Sequence, residues 1–346
     1  MTIYLDYQAS TPLAPEASAA MRPWLDEKFA NPHASHKLGR EAAAAVELAR
    51  ESIAELLPKG GRIFFTSGAT ESLNWALRGI PGHGSIMVAD TEHAAVRDTA
   101  LWLQEQHRKV ELVPVAKDGL LDPSVEIGKG TALVSAMLVN NEIGVIQPIS
   151  VLAKAAHRAG AVFLCDAVQG FGRIDIPEGP DLIAISAHKI HGPKGIGALW
   201  VRDGIALEPL LFGGGQEGGL RSGTLSPALC AGFGVAARVA RQRQAAHHQD
   251  LVPVEDHPGH LGEPVVGDAP GEPGRGLLRV ERRMSGDFIE EVTHLVSGFP
   301  WATIKFRSDN TITVDANKAA EHVAAISCDA GSGGNRGYRF RRRQGF

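Results

Sequence analysis

The stretch Ile183-Ala-Ile-Ser-Ala-His-Lys189-Ile-His-Gly-Pro-Lys-Gly195 is an apolar strand that ends in Ser, His and Lys and runs into a Gly-Pro loop. In open α/β sheets ligands lie beyond the carboxyl ends of strands, so this order predicts the polar trio at the ligand end of a sheet. A lysine there can condense with a carbonyl compound if its ammonium is partly desolvated and loses its proton readily. Taken alone, a lysine after a strand is far more often a solvated surface residue, so the reading needs companions.

Working outward, the first two-thirds of the chain alternates amphipathic helices with short apolar runs, the pattern of a mostly parallel sheet covered by helices on both faces. The periodicity predicts helices over 16–29, 37–56, 71–79, 93–107 and 150–159. It predicts strands Ile63–Thr66, Ser85–Ala89, Val110–Pro114, Ala132–Leu138, Ala161–Asp166, Leu182–Ser186 and Ala198–Val201, each apolar enough to be buried on both faces. No internal repeat is present.

Two further segments supply the companions. The predicted strand Ala161-Val-Phe-Leu-Cys-Asp166 is followed by Ala-Val-Gln169. A pyridine cofactor needs a carboxylate against its ring nitrogen, because a protonated ring is the better electron sink. Asp166 can provide it and Gln169 can reach the ring hydroxyl or imine region; read alone, Asp166 is equally a helix N-cap. Phe64-Phe-Thr-Ser-Gly-Ala-Thr70-Glu-Ser-Leu-Asn74 reads as strand, small-residue turn and helix start, where backbone N–H groups and the helix dipole attract a phosphate. Amine, carboxylate and anion cup together point to pyridoxal 5'-phosphate (PLP).

Composition sets the outer limits. The 346 residues are 44% hydrophobic, with a formal net charge of -4, enough for one large α/β core plus a smaller lobe. That charge gives no electrostatic footprint for nucleic acid or an anionic membrane. No run approaches the roughly 18 apolar residues of a spanning helix, and MTIYLDYQAS lacks the regions of a signal peptide, so a cytoplasmic protein is expected. The three cysteines, Cys165, Cys230 and Cys328, form no metal-spaced pair and no disulfide framework.

Several segments, in order, resemble the class V aminotransferase relatives of PLP fold type I, in particular the cysteine desulfurases of the NifS and IscS group. They are LDYQASTPL, FFTSGATES, TEHAAV, VSAMLVNNEIGVIQPI, LCDAVQGFGR, ISAHKIHGPKGIGAL and GGGQEGGLRSGTLSP, spanning roughly residues 2–245. The resemblance implies a large domain with a mostly parallel sheet over 1–248 and a small α/β domain after it. It assigns the covalent cofactor amine to Lys189, the ring-nitrogen carboxylate to Asp166, and the ring-hydroxyl partner to Gln169. His93 matches an imidazole that stacks on the ring and shuttles protons, for which its near-neutral reference pKa is suited. Asn141 matches a residue beside the cofactor and the substrate carboxylate. Ala69, Thr70, Ser186 and His188 match the phosphate cup. Thr224 matches a residue that reaches the neighbouring subunit's phosphate, which implies a homodimer. Without the resemblance, His93 is a structural residue at a strand–helix junction, Asn141 an ordinary turn residue and Thr224 a cap before Leu225.

The implied activity takes sulfur from L-cysteine, giving L-alanine and an enzyme persulfide that passes to a sulfur acceptor or iron–sulfur scaffold protein. That chemistry needs a protein thiolate. In the resembling group the cysteine lies in a pattern like Gly-Ser-Ala-Cys-Ser-Ser-Gly, whereas this chain offers Ala-Ile-Ser-Cys328-Asp-Ala-Gly-Ser-Gly-Gly. Cys328 is the best candidate, because Cys165 falls in a buried strand and Cys230 in an apolar helix. Arg336, Arg339, Arg341, Arg342 and Arg343 have no recognisable counterpart to the substrate-binding arginine. Motifs are intact up to about residue 248 and almost absent after it, the pattern that a disturbed reading frame produces. There LVPVEDHPGHLGEPVVGDAPGEPGRG has no period, and the basic end GSGGNRGYRFRRRQGF reads as a disordered tail. The alternatives are another class V activity needing no protein thiol (aminotransferase, selenocysteine lyase or C–S lyase) or a catalytically impaired PLP-binding homologue.

Overall fold

A computed structural model of the chain describes Tyr4, residues 6–250 and four later strands, with side chains described for Tyr4 and 6–244. The chain divides into two compact units, Gln8–Leu251 and Met1–Tyr7 with Val252–Phe346.

In the larger unit, helices α1 (Pro15–Asp26) and α2 (Lys37–Ala54) precede strand β1 (Gly61–Thr66). There follow α3 (Ala69–Gly79), β2 (Ser85–Ala89), α4 (Ala94–Glu105), β3 (Val110–Val113), β4 (Thr131–Met137), α5 (Ile149–Arg158), β5 (Val162–Asp166), β6 (Leu182–Ser186), β7 (Gly197–Arg202) and α6 (Pro227–Asp250). The strands form one seven-stranded sheet in the order β1-β7-β6-β5-β4-β2-β3. All pairings are parallel except the two made by β7, which runs antiparallel to both β1 and β6. The expected mostly parallel α/β fold is therefore present, with a single reversed strand.

Side chains alternate across this sheet as the pleat requires. Ile63, Phe65, Phe163 and Cys165 join the core beneath α1, α2, α5 and α6. Phe64, Leu133, Leu164 and Leu182 join the opposite core beneath α3 and α4. Burial on both faces fails at β3, where Glu111 and Leu112 are exposed: β3 is an edge strand paired only to β2, so less of it is covered. The other edge, β1, is protected from further pairing because the Glu217 carboxylate accepts the Phe65 N–H at 2.7 Å.

The pattern reading gave no bounds for α6, which is rich in Ala, Gly and Arg. It packs on α2 where Gly234 faces Ala49, and a Cβ at Gly234 would stand 2.6 Å from the Ala49 Cα. That approach needs a residue without a side chain. Phe233 on the same helix meets Phe171 edge-on, with ring centroids 6.2 Å apart.

In the other unit, β8 (Ala302–Phe306) pairs antiparallel with β9 (Ile312–Ala316), and β10 (His322–Cys328) with β11 (Tyr338–Gln344). The segments ATIKF and ITVDA form these first two strands. The basic end was expected to be disordered, yet Tyr338–Gln344 is a strand in register with His322–Cys328. Tyr338 and Phe340 give it a short period-two pattern that the arginine count obscures. The Pro/Gly-rich stretch and the segment 286–299 lie outside the described residues.

Candidate active site

β6 ends at Ser186 and passes into a single 3-10 turn, Ala187–Lys189. This turn is strapped down by the segment before α1. Thr11 donates both its N–H and its hydroxyl to the His188 carbonyl, each at 2.9 Å, and its Oγ1 accepts the His191 N–H at 2.7 Å. His191 has φ 63°, a left-handed conformation that this double anchoring holds in place. The Lys189 ammonium donates to the carbonyls of Gln8 and Ala9. The Gln8 carbonyl also accepts Gln169 Nε2 at 3.0 Å, and Arg173 donates to Gln169 Oε1 at 3.1 Å and to the Lys189 carbonyl at 3.0 Å. Lys189 and Gln169 thus meet on one backbone carbonyl of the arm.

Asp166, at the end of the neighbouring β5, is only 6% exposed. Its Oδ1 accepts the Val168 N–H at 2.9 Å and closes a turn, so it does not cap a helix. Burial pushes its carboxyl above the usual range, while the Val168 N–H, His93 and Lys189 pull in the opposite direction. Two of the sequence candidates, Lys189 and His93, thus act electrostatically on this carboxylate. His93 is the N-cap of α4, and its Nδ1 accepts the Ala95 N–H at 3.0 Å. This is the structural role expected of a junction histidine, and it leaves Nε2 as the nitrogen that can exchange a proton.

The cup begins at Gly68, which precedes α3 without any side-chain cap, so the first N–H groups of that helix have no side-chain acceptor. Thr66 Oγ1 donates to the Gly68 carbonyl at 3.0 Å and lies 2.8 Å from Ser72 Oγ, fixing the turn. Gly197 pairs with Thr66 on one side and Ser186 on the other, bringing the turn before Ala69 and Thr70 beside the end of β6. A Cβ at Gly197 would stand 2.7 Å from Gly68 Cα, closer than backbone atoms tolerate. Thr70 shares a cleft with His93, Asn74, Thr99 and Trp102. Ser186 is buried, and His188 has its Nδ1 3.3 Å from Ser10 Oγ. Burial, followed by Lys189 and Lys194, lowers the His188 pKa and favours its neutral form.

Other assigned positions stand apart. Asn141 is half-buried, and its neighbour Asn140 does the local work: Nδ2 donates to the Thr91 carbonyl at 2.9 Å while Oδ1 accepts the N–H groups of Glu142 and Ile143. Thr224 is exposed, three residues after Arg221, which pairs with Glu71 at 2.8 Å. Cys328 is the last residue of β10, opposite Tyr338, in the other unit. Arg339, Arg341, Arg342 and Arg343 lie on β11, and Arg336 lies outside the described residues. Sequence reasoning missed Asn140, the Thr11 strap and the Gln8 and Ala9 carbonyls. A backbone carbonyl leaves no signal in a residue pattern, although LDYQASTPL had singled out the segment.

A buried carboxylate and a lysine at adjacent strand ends, with an uncapped helix start beside them, are arranged as expected of a fold type I large domain. The class V aminotransferase domain matches residues 3–251, and the chain belongs to that family. Within it, the chain is 46% identical over 255 residues to the cysteine desulfurase IscS of Rickettsia bellii (strain OSU 85-389), covering 69% of this chain and 62% of that protein. The IscS protein of Rickettsia rickettsii (strain Iowa) is 45% identical over the same shares. The chain thus spans about 62% of the length of these curated relatives. Among solved structures, a NifS-like protein superposes with TM-score 0.67 and 35% identity over 71% of each chain. A protein titled SspA in complex with cysteine does so at TM-score 0.65 and 38% identity, over 72% of this chain and 78% of that one. DndA from Streptomyces lividans, 26% identical, reaches TM-score 0.62 over 99% of this chain and 100% of its own.

Proposed function

We propose that this chain is a PLP-dependent cysteine desulfurase, acting as a cytoplasmic homodimer on L-cysteine and delivering sulfur to an acceptor or iron–sulfur scaffold protein. The observation that carries the proposal is the buried Asp166 carboxylate at the end of β5, paired beside β6, the strand that leads into Lys189. Family membership and the relatives named cysteine desulfurase support the same chemistry. Among the described residues no helix is long and apolar enough to cross a membrane.

The residues present fit the coenzyme. The uncapped N–H groups at the start of α3, with Thr70, Ser186 and His188, suit its phosphate, and the Asp166 carboxylate suits its ring nitrogen. When bound, the coenzyme supplies a sink for the electron pair released at the substrate Cα. Asp166, held in place by the Val168 N–H, would keep that ring protonated. His93, its Nδ1 held by the Ala95 N–H, would exchange a proton through Nε2 beside the ring. Lys189 would provide the amine that anchors the coenzyme and would then move the Cα proton. The Cys328 thiolate takes the substrate sulfur: the new S–S bond forms as the C–S bond breaks, and the carbon left behind takes a proton to become alanine.

Incubating the coenzyme-loaded protein with L-cysteine tests this. Alanine should appear together with persulfide-selective label on Cys328, and Cys328→Ala should abolish both. Formation of pyruvate, or transfer of the amino group, would overturn the desulfurase reading.

A further inference from the structure

Glu92 immediately precedes His93 and is 5% exposed, and both its carboxylate oxygens are buried without a hydrogen-bond partner. Burial and the adjacent Asp166 both resist its ionisation; the Met137 backbone favours the charge, but short of hydrogen-bonding geometry. The remaining titratable group in this pocket is Cys165, whose thiol burial, Asp166 and Glu92 together push well up. Two neighbouring buried carboxyls cannot both ionise cheaply, and one of them must keep a proton. Asp166 has what stabilises an anion: the hydrogen bond from the Val168 N–H and the nearby charge of Lys189. Glu92 has none of these. The backbone on its N-terminal side is fixed by Asn140 on the Thr91 carbonyl, and on its C-terminal side by the His93 cap.

We propose that Glu92 is a positioning residue of this site, an uncharged carboxylic acid beside Asp166 that leaves Asp166 as the carboxylate of the pair. This rests on the proposed function only in giving Asp166 a ring nitrogen to face; the protonation of Glu92 is a property of the chain itself. Raising the pH drives a second negative charge toward Asp166, and the site resists it at the expense of folding.

The sign follows from linkage. An acid whose folded pKa lies above the value of 4.5 for an unperturbed Glu stabilises the fold fully below that value, and loses the contribution as pH rises toward the folded pKa. Relative to Glu92→Gln, which keeps shape and neutrality, the wild-type folding equilibrium should therefore fall by up to about tenfold per pH unit between that value and the folded pKa. The test is urea unfolding of coenzyme-free wild type and Glu92→Gln across pH. The expected result is that the variant gains on wild type as pH rises, and that it keeps the coenzyme absorbance and its pH profile once loaded. A pH-independent difference, or a variant that loses ground at rising pH, overturns the proposal. Should Glu92→Gln fail to fold, infrared spectroscopy of wild type labelled with ¹³C-glutamate decides: a protonated-carboxyl C=O band at neutral pH supports it, and carboxylate bands alone overturn it. Neither readout needs turnover, so a failure of the desulfurase reading leaves this result intact.

Discussion

Replacing Gly197 by alanine strikes the point where the sheet and the anion cup touch. The added Cβ would stand 2.6 Å from the Ile185 carbonyl oxygen and 2.7 Å from both Cα and the carbonyl carbon of Gly68. All three are backbone atoms, so no change of rotamer relieves the contact. β7 and the Gly68 turn must separate by roughly 1 Å to restore ordinary packing distances of about 3.5 Å. Overpacking of this kind costs about 1–3 kcal/mol, and each kcal/mol lowers Tm by about 2–4 °C in a unit of this size. The same movement carries the N-terminus of α3 away from Ser186, so affinity for PLP should fall by about tenfold for every 1.4 kcal/mol of lost phosphate contact. Gly128→Ala is the control, because its Cβ meets nothing within 4 Å. Thermal scanning and coenzyme titration by absorbance should separate the two variants in both readouts. If Gly197→Ala matches Gly128→Ala in both, the close approach does not hold the cup together and the reasoning fails.

The Glu217 side chain is 3% exposed and relies on Arg50, whose guanidinium lies 2.8 Å away. Arg50→Met leaves that carboxylate unpaired, a loss of about 3–5 kcal/mol in a fully buried pair, reduced here because Arg50 is 21% exposed; urea unfolding should show it clearly less stable than Glu217→Gln, and equal stabilities would contradict the pairing. Glu71 is held below the usual carboxylate range: burial would raise it, but hydrogen bonds and charge from Arg221 and Ser67 outweigh that. Its contribution is therefore present above about pH 4.5 and lost as pH falls through the folded value, so the stability lost in Glu71→Gln should shrink on acidification. Burial, then Asp166 and Glu92, push the Cys165 thiol well up, and burial foremost pushes Cys230 up to about 12. Only thiolate reacts, so peptide mapping after thiol labelling of the native protein should find neither cysteine modified, and both modified once the protein is unfolded.

The parts of the fold legible in the sequence were those that rest on apolar periodicity. β2 and β6 keep their expected bounds, Ser85–Ala89 and Leu182–Ser186, because each is a continuous apolar run bounded by polar residues or turns. The reversed direction of β7 was not legible, since a strand reads the same in either sense and only its partners reveal it. The apolar helix around Cys230 was read, but the bounds of α6 escaped because its close packing uses glycine and alanine, which carry no amphipathic signal. In the site, Asp166 and Lys189 were legible as polar residues at strand ends, while His93 read as a junction histidine whose proposed role came only from the resemblance. What holds them was not: the Gln8 and Ala9 carbonyls act through backbone, and Asn140 could not be told from Asn141 without the turn that selects it.

The central claim is that Lys189 is the amine that takes up the coenzyme. Purified protein incubated with PLP, reduced with borohydride and digested should carry the coenzyme on the peptide containing Lys189, and Lys189→Ala should remain colourless and unlabelled. A label on another lysine, or equal uptake by Lys189→Ala, would contradict the account.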